Sequence, residues 1–249
     1  MEVIIQPDAA SAARVAFESV RRLYARRPDP VVGLATGKTP LGLYALMRGS
    51  GLDFSRTRFF NLDELVGLPA EHPKSFRRFL KENLLDGLGV PAGNVRLLRG
   101  DAADLEREAE DYEAALKAAG GIDLQVLGLG RNGHIGFNEP GSSLGSRTRP
   151  KTLDRETLAD YGPGTPRFSI TMGIGTILEA RELLMLATGE AKAEAVRRIA
   201  EGPLTSETPG SALQLHPRAR LIVDEAAAAR LARADYWRWV WENKWQVGQ

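Results

Sequence analysis

Residues 122–127, I-D-L-Q-V-L, run straight into G-L-G-R-N-G-H-I-G-F-N-E-P, residues 128–140. The first piece is a short apolar run and reads as a buried strand. The second has glycines at 128, 130, 133 and 136, which permit sharp turns and close approach of backbone to a ligand. Between them stand Asn132, His134, Asn138 and Glu139. A titratable cluster on a glycine-rich loop at a strand end suits a catalytic site better than a connector. It also narrows the fold, because open parallel sheets bind ligands outside the carboxyl ends of their strands.

The rest of the chain supplies such a sheet. Residues 3–5, 31–35, 58–62, 95–98, 168–171, 182–187 and 219–223 read as further strands. Helical periodicity falls at 9–26, 41–47, 73–85, 101–119, 173–180 and 189–201. Asp8 and Thr39 read as N-caps, with Pro40 at a first helical position. Asp224 opens a terminal helical region, and 213–217 is a short turn or helix. Residues 142–166 read as a long surface segment with a short helix near 156–159, a length usual for lids and binding loops. The tail, 236–245, holds all four tryptophans and reads as docking on the body or on a partner. Strands alternating with helices predict an α/β chain with a mostly parallel central sheet. With no linker or internal repeat in view, residues 1–249 read as a single domain.

Composition excludes several classes. A formal net charge of +1 without a basic block argues against a nucleic-acid partner. The absence of cysteine removes disulfides, thiolate catalysis and cysteine-ligated zinc. The first eight residues lack a signal-peptide pattern and no apolar run reaches membrane-spanning length, so the expected location is the cytoplasm, with no membrane partner.

Three polar clusters follow three predicted strands, and the topology would bring them to one crevice. Thr36, Gly37, Lys38 and Thr39 offer backbone N–H groups, hydroxyls and a cation at a helix start, which suits a phosphate; the spacing is not that of a P-loop. Asn61, Asp63 and Glu64 end a strand, where the period of two sends Asp63 and Glu64 to opposite sides. One is expected to face the crevice while the other caps or pairs. His134 and Glu139 make an acid/base pair, a carboxylate on one ring nitrogen leaving the other for proton transfer. His72 and His216 read as structural. No clustered ligand spacing points to a metal. Lys192, near a helix start, suits either a phosphate or bulk water, and so does the basic patch of Ser142, Arg147, Arg149 and Lys151.

Several motifs in order (V-G-L-A-T-G-K-T-P, F-N-L-D-E-L-V-G-L, G-R-N-G-H-I-G-F-N-E-P, S-S-L-G-S-R-T-R, T-M-G-I-G-T and L-Q-L-H-P) make the chain resemble the glucosamine-6-phosphate deaminase (isomerase) family over nearly its whole length. The resemblance implies a Rossmann-like α/β fold with helices on both faces of the sheet. It implies conversion of glucosamine 6-phosphate to fructose 6-phosphate and ammonia without metal or organic cofactor. It implies Asp63 as the enolisation base, His134 as the ring-opening acid/base and Glu139 as its supporting carboxylate. Asn132 stands where many members carry Asp, keeping an acceptor but losing a charge. The resemblance further implies phosphate contacts at Thr36, Gly37, Lys38, Thr39 and Lys192, with Gly136 allowing close sugar approach. Ser142, Arg149 and Lys151 match effector-binding positions of oligomeric members, so a homo-oligomer is in view. One departure is plain. Many members carry an arginine in an N-S-R-F-F-like lid, whereas in the lid segment here, about 152–166, the stretch 157–166 (T-L-A-D-Y-G-P-G-T-P) is shorter and has no such arginine; Arg167 lies just beyond. Alternatives are a 6-phosphogluconolactonase-type hydrolase, which tends to carry other residues after the glycine–histidine pair, and a non-catalytic sugar-phosphate sensor.

Overall fold

The structure is a computed structural model, and it describes residues 1–244. The chain begins with β1 (Glu2–Gln6), α1 (Ala9–Arg26), β2 (Val31–Leu34), α2 (Leu41–Arg48) and β3 (Arg58–Asn61). Then come β4 (Asp63–Leu65), α3 (Phe76–Asn83), β5 (Val95–Arg96), α4 (Leu105–Ala118) and β6 (Leu124–Leu127). The second half holds β7 (Arg149–Thr152), α5 (Arg155–Tyr161), β8 (Phe168–Thr171), α6 (Ile174–Leu178), β9 (Glu182–Ala187) and α7 (Ala193–Glu201). It closes with β10 (Ala219–Asp224), α8 (Glu225–Ala228) and α9 (Ala234–Glu242).

Seven strands form one sheet in the order β1-β10-β9-β6-β2-β3-β5. Every pairing in it is parallel. The runs V-V-G-L of β2, L-Q-V-L of β6 and I-V-D at the end of β10 are buried at every position, so both faces of the sheet are covered. From β2 the chain proceeds outward through β3 to β5 on one side; on the other side lies β6 and then β9. The direction of winding therefore reverses between β2 and β6. Such a reversal opens a crevice at the carboxyl ends of those two strands, where the Thr36 loop and the glycine loop begin.

A second sheet was not visible in the sequence pattern. β4, β8 and β7 pair antiparallel in the order β4-β8-β7. The segment 142–166, expected as surface loop with one short helix, thus contributes an edge strand as well as α5. R-P-K-T of β7 shows no apolar alternation because it is half-exposed and has one neighbour. Other boundaries shift for identifiable reasons. α2 starts at Leu41 with Pro40, not Thr39, as the cap residue, and Pro40 supplies no side-chain cap. α3 starts at Phe76 rather than 73, where the Glu64 carboxylate meets its first N–H groups. β5 stops at Arg96 because the N–H of Leu98 donates to the Asn61 side chain at 2.7 Å, outside the ladder. α4 starts at Leu105 rather than 101, capped by Asp104, whose carboxylate accepts from the Arg107 N–H at 2.9 Å.

His216 is the packed histidine expected: its Nε2 lies 2.8 Å from the Ala180 carbonyl and its Nδ1 accepts from the Arg218 N–H. His72 likewise accepts from the Lys74 N–H. Trp237 and Trp241 of α9 pack on the core, Trp239 is exposed, and Trp245 lies outside the described residues. No helix among the described residues is long and apolar enough to cross a membrane.

Asn61 is fully buried at the point where β3 ends. Its Nδ2 donates to the Asp63 carbonyl at 2.6 Å, its Oδ1 accepts from Leu98, and its own carbonyl accepts from the Tyr112 hydroxyl. Asn61→Leu, similar in volume, leaves two buried backbone groups without partners. The expected loss is about 2–4 kcal/mol in urea unfolding; a loss under about 0.5 kcal/mol would show the bonds are replaced by water.

Candidate active site

The crevice at the β2/β6 reversal is a cleft of about 750 Å³. Thr36, Gly37, Lys38 and Thr39 line it after β2, Leu62 and Asp63 after β3, and Gly128, Leu129, Gly130, His134 and Gly136 after β6. Lys192, Thr188 and the α5 residues Thr157, Asp160 and Tyr161 complete the wall. Ten residues were expected here from sequence as catalytic or phosphate-binding. Eight line the cleft, and Asn132 and Glu139 stand directly behind His134.

The glycine loop holds the imidazole closely. A Cβ on Gly130 would fall 2.3–2.5 Å from the His134 ring, so no other residue fits there. Asn132 Oδ1 lies 2.7 Å from His134 Nδ1, and an amide oxygen only accepts, so Nδ1 carries the proton. Nε2 is left as the proton-accepting nitrogen. Asn132 Nδ2 donates in turn to Glu139 Oε2 at 3.0 Å, while Glu139 itself stands 3.4 Å from Nδ1. The carboxylate expected to touch the histidine therefore acts largely through the intervening amide. Burial pushes the Glu139 carboxyl up, but the hydrogen bond and charge of His134, with Thr157 and Asn132, outweigh it and hold the pKa at about 2. Glu139 stays ionised and aimed at the relay.

Asp63 has the opposite environment. It is 6% exposed, with Glu64 beside it in sequence. Burial first, then the Glu64 charge, pushes its pKa to about 8. The two acids separate as the period of two demands: Asp63 faces the cleft and Glu64 turns into the body. There Glu64 accepts from Ser75 Oγ at 2.8 Å and from the N–H groups of Phe76 and Arg77, both at 2.9 Å, capping α3. Gly136, at φ +56°, brings the two loops together. A Cβ there would meet Thr171 Oγ1 at 2.8 Å and come within 3.5 Å of an Asp63 carboxyl oxygen.

The Thr36 loop, expected to seat a phosphate, lines the cleft together with Lys192. Gly37 has φ +105°, a backbone form that suits glycine, and α2 begins without a side-chain cap, its Leu41 N–H donating to the Lys38 carbonyl at 3.3 Å. Lys192 is partly buried, and burial lowers its pKa.

Sequence reading missed the α5 wall. Thr157, Asp160 and Tyr161 share one face at the i, i+3, i+4 spacing of a helix, a pattern present in T-L-A-D-Y. Thr157 is buried 3.4 Å from His134 Nδ1. Tyr161 packs on Phe76 and Phe137. Lys74 pins the chain just after α5 by donating to the Pro163 carbonyl at 2.6 Å and to Thr165 Oγ1 at 3.0 Å. Arg167 is exposed at the head of β8 and does not line the cleft. Ser142, Arg149 and Lys151 are not in it either. Ser142 Oγ is buried without a hydrogen-bond partner, and Arg149 Nη1 donates to Asn138 Oδ1 at 3.0 Å, behind the glycine loop. Among the described residues no group of three or more His, Asp or Glu side chains converges as a metal site would.

Because burial raises the Asp63 pKa on folding, the folded chain holds an extra proton between the ordinary value of 3.8 and about 8. Stability falls as pH rises through that window. Asp63→Asn removes the dependence, so the variant gains on the parent as pH rises, read as a growing difference in unfolding midpoint between about pH 5 and about pH 8. A constant difference would show that Asp63 is well solvated.

The family described as glucosamine-6-phosphate isomerases/6-phosphogluconolactonase matches residues 7–223. The glucosamine-6-phosphate deaminases of Streptomyces avermitilis and Streptomyces coelicolor are each 48% identical, across 99% of this chain and 99% of theirs. That of Shewanella loihica is 47% identical across 96% of this chain and 92% of its own. A solved monomeric glucosamine-6-phosphate deaminase superposes with a TM-score of 0.88 at 37% identity, covering 92% of this chain and all of that one. The 6-phosphogluconolactonase of Trypanosoma brucei, at 22% identity and a TM-score of 0.78, shares the fold. With its motifs in order, its sheet wound as in that solved relative and its match running from residue 7 to 223, this chain belongs to the glucosamine-6-phosphate isomerase/6-phosphogluconolactonase family.

Proposed function

We infer that the chain is a glucosamine-6-phosphate deaminase, converting glucosamine 6-phosphate and water to fructose 6-phosphate and ammonia. One observation carries the chemistry. A buried carboxyl, Asp63, and an imidazole with a free Nε2, His134, line a cleft whose wall also holds Thr36, Gly37, Lys38, Thr39 and Lys192, groups suited to a phosphate. The relatives at 47–48% identity carry the same activity in their names. The lactonase reading loses ground, because those neighbours share the fold at 19–22% identity.

In this reading His134 opens the ring: Nε2 takes the proton of the C1 hydroxyl and returns one to the ring oxygen. The neutral tautomer set by Asn132 is the form that accepts a proton, and the Glu139 charge stabilises the imidazolium that follows. Asp63, as the carboxylate, takes the proton from C2 while the C1 oxygen takes one from the substrate ammonium, which gives a neutral enolamine. It returns that proton to C1, leaving an iminium at C2. Water adds there and ammonia leaves, so the overall change is isomerisation with hydrolysis of a C–N bond. The desolvated site that raises the Asp63 pKa to about 8 makes it a stronger base than an ordinary carboxylate. The amino group of the substrate, as ammonium, would favour the ionised form.

Two finer readings accompany this one. A cytoplasmic setting fits a substrate whose charge keeps it from crossing membranes unaided. An effector role for Ser142, Arg149 and Lys151, and with it a homo-oligomer, fits an arginine that reaches the catalytic loop through Asn138. Light scattering with and without a phosphorylated sugar tests the second.

Incubation with glucosamine 6-phosphate is expected to release ammonia and fructose 6-phosphate in equal amounts, with no hydrolysis of 6-phosphogluconolactone in parallel. Asp63→Asn is expected to abolish exchange of the C2 proton with solvent while the fold persists; retained exchange would remove Asp63 from the role. His134→Gln is expected to lower turnover of the closed ring by about 10²-fold or more, and of an open-chain analogue by less. Equal losses on both substrates would argue against ring opening.

A further inference from the structure

Arg131 immediately precedes the His134 relay, and its guanidinium makes a two-pronged pair with Asp160 of α5. Nε donates to Oδ2 at 2.9 Å and Nη2 donates to Oδ1. Asp160 itself lines the cleft together with Lys192 and the Thr36 loop. Lys192 feels both partners: after burial, which pushes its pKa down, Asp160 pulls it up and Arg131 pushes it down. Asp160 and Lys192 therefore share one wall of the cleft, and Arg131, which does not line it, pairs with Asp160 from the glycine loop. The carboxylate is the odd member, because its charge opposes that of an incoming phosphate.

We propose that Asp160 is a resident counter-ion that occupies Arg131 in the empty cleft, and that a phosphate monoester displaces it and takes the guanidinium as a ligand. The assignment rests on the sugar-phosphate reading of the same cleft. The geometry favours exchange. The Arg131 and Asp160 side chains are 51% and 34% exposed, so their pair adds little stability by itself. A phosphate dianion offers the same forked recognition with more charge. Arg131 thereby supplies, from the glycine loop and not from Arg167, a guanidinium that residues 157–166 lack. Asp160 also sets a threshold, since weakly charged ligands do not release α5 from Arg131.

The two members of an ordinary latch would act alike: removing either would loosen α5 and shift affinity in one direction. Competition for Arg131 makes them act in opposite directions. The experiment measures inorganic phosphate binding by calorimetry on the full chain, and KM and kcat for glucosamine 6-phosphate. Asp160→Asn is expected to tighten phosphate binding and lower KM by about two- to fivefold, the worth of one exposed ion pair. Arg131→Gln is expected to weaken both by about tenfold or more, with kcat changed by less than about threefold. Arg131→Lys should recover part of the loss, the double variant should match Arg131→Gln, and Arg167→Gln should match the parent. Weakening in both Asp160→Asn and Arg131→Gln, or unchanged phosphate affinity in Arg131→Gln, would overturn the proposal. The calorimetric arm is independent of turnover, so a parent chain that binds phosphate but releases no ammonia would count against the deaminase reading alone.

Discussion

Leu62 is bonded to both sheets at once. Its N–H donates to the Leu34 carbonyl of β2 at 2.8 Å, and its carbonyl accepts from the Met172 N–H, just past β8, at 2.9 Å. In one residue the chain leaves the parallel sheet and enters the antiparallel one. Asp63 and Glu64 then occupy strand positions rather than loop positions, so their side chains must diverge. Glu64 is spent on the start of α3, and Asp63 is left in the cleft wall. Asn61, just before, satisfies the backbone groups that this change of sheet would otherwise strand. The role of base proposed for Asp63 needs that rigidity, because strand-borne groups hold their positions better than loop-borne ones.

The two carboxylates of the site show how burial alone does not set a pKa. Both Asp63 and Glu139 are nearly excluded from solvent. Glu139 receives hydrogen bonds from its surroundings and is driven to about 2, whereas Asp63 has a neighbouring acid and climbs to about 8. Groups of one type thereby differ in charge, and in the proposed mechanism Glu139 is the permanent charge behind the imidazole and Asp63 the proton carrier.

The relay and the lid share contacts. Glu139 Oε1 accepts from the Asp154 N–H, at the residue that caps α5, at 3.2 Å. Thr157 and Asp160 of the same helix reach His134 and Arg131. The glycine loop thus meets α5 at its start, middle and end, and a shift of that helix would be felt at the proton-handling nitrogen and at the phosphate end together. Few residues are needed for this, because the chain just after α5 is held by Lys74 and α5 itself contacts the loop through Asp154, Thr157 and Asp160.

The sequence by itself determined the class of fold, the parallel strands, the glycine loop and most of the site. Those features are local: apolar runs, glycine spacing and acids at strand ends follow from backbone sterics and burial over a few residues. It also separated Asp63 from Glu64, because the strand period is intrinsic. What only the tertiary structure decided lies in pairings distant in sequence. The antiparallel sheet joins Arg149–Thr152 and Phe168–Thr171 to Asp63–Leu65, and polar edge strands carry no pattern of their own. That the carboxylate of Glu139 reaches His134 through Asn132, and that Arg131 meets Asp160 while Arg167 stays outside, depends on side-chain directions set by where β6 and α5 pack. Charge positions of that kind are properties of the folded surface, and no spacing along the chain encodes them.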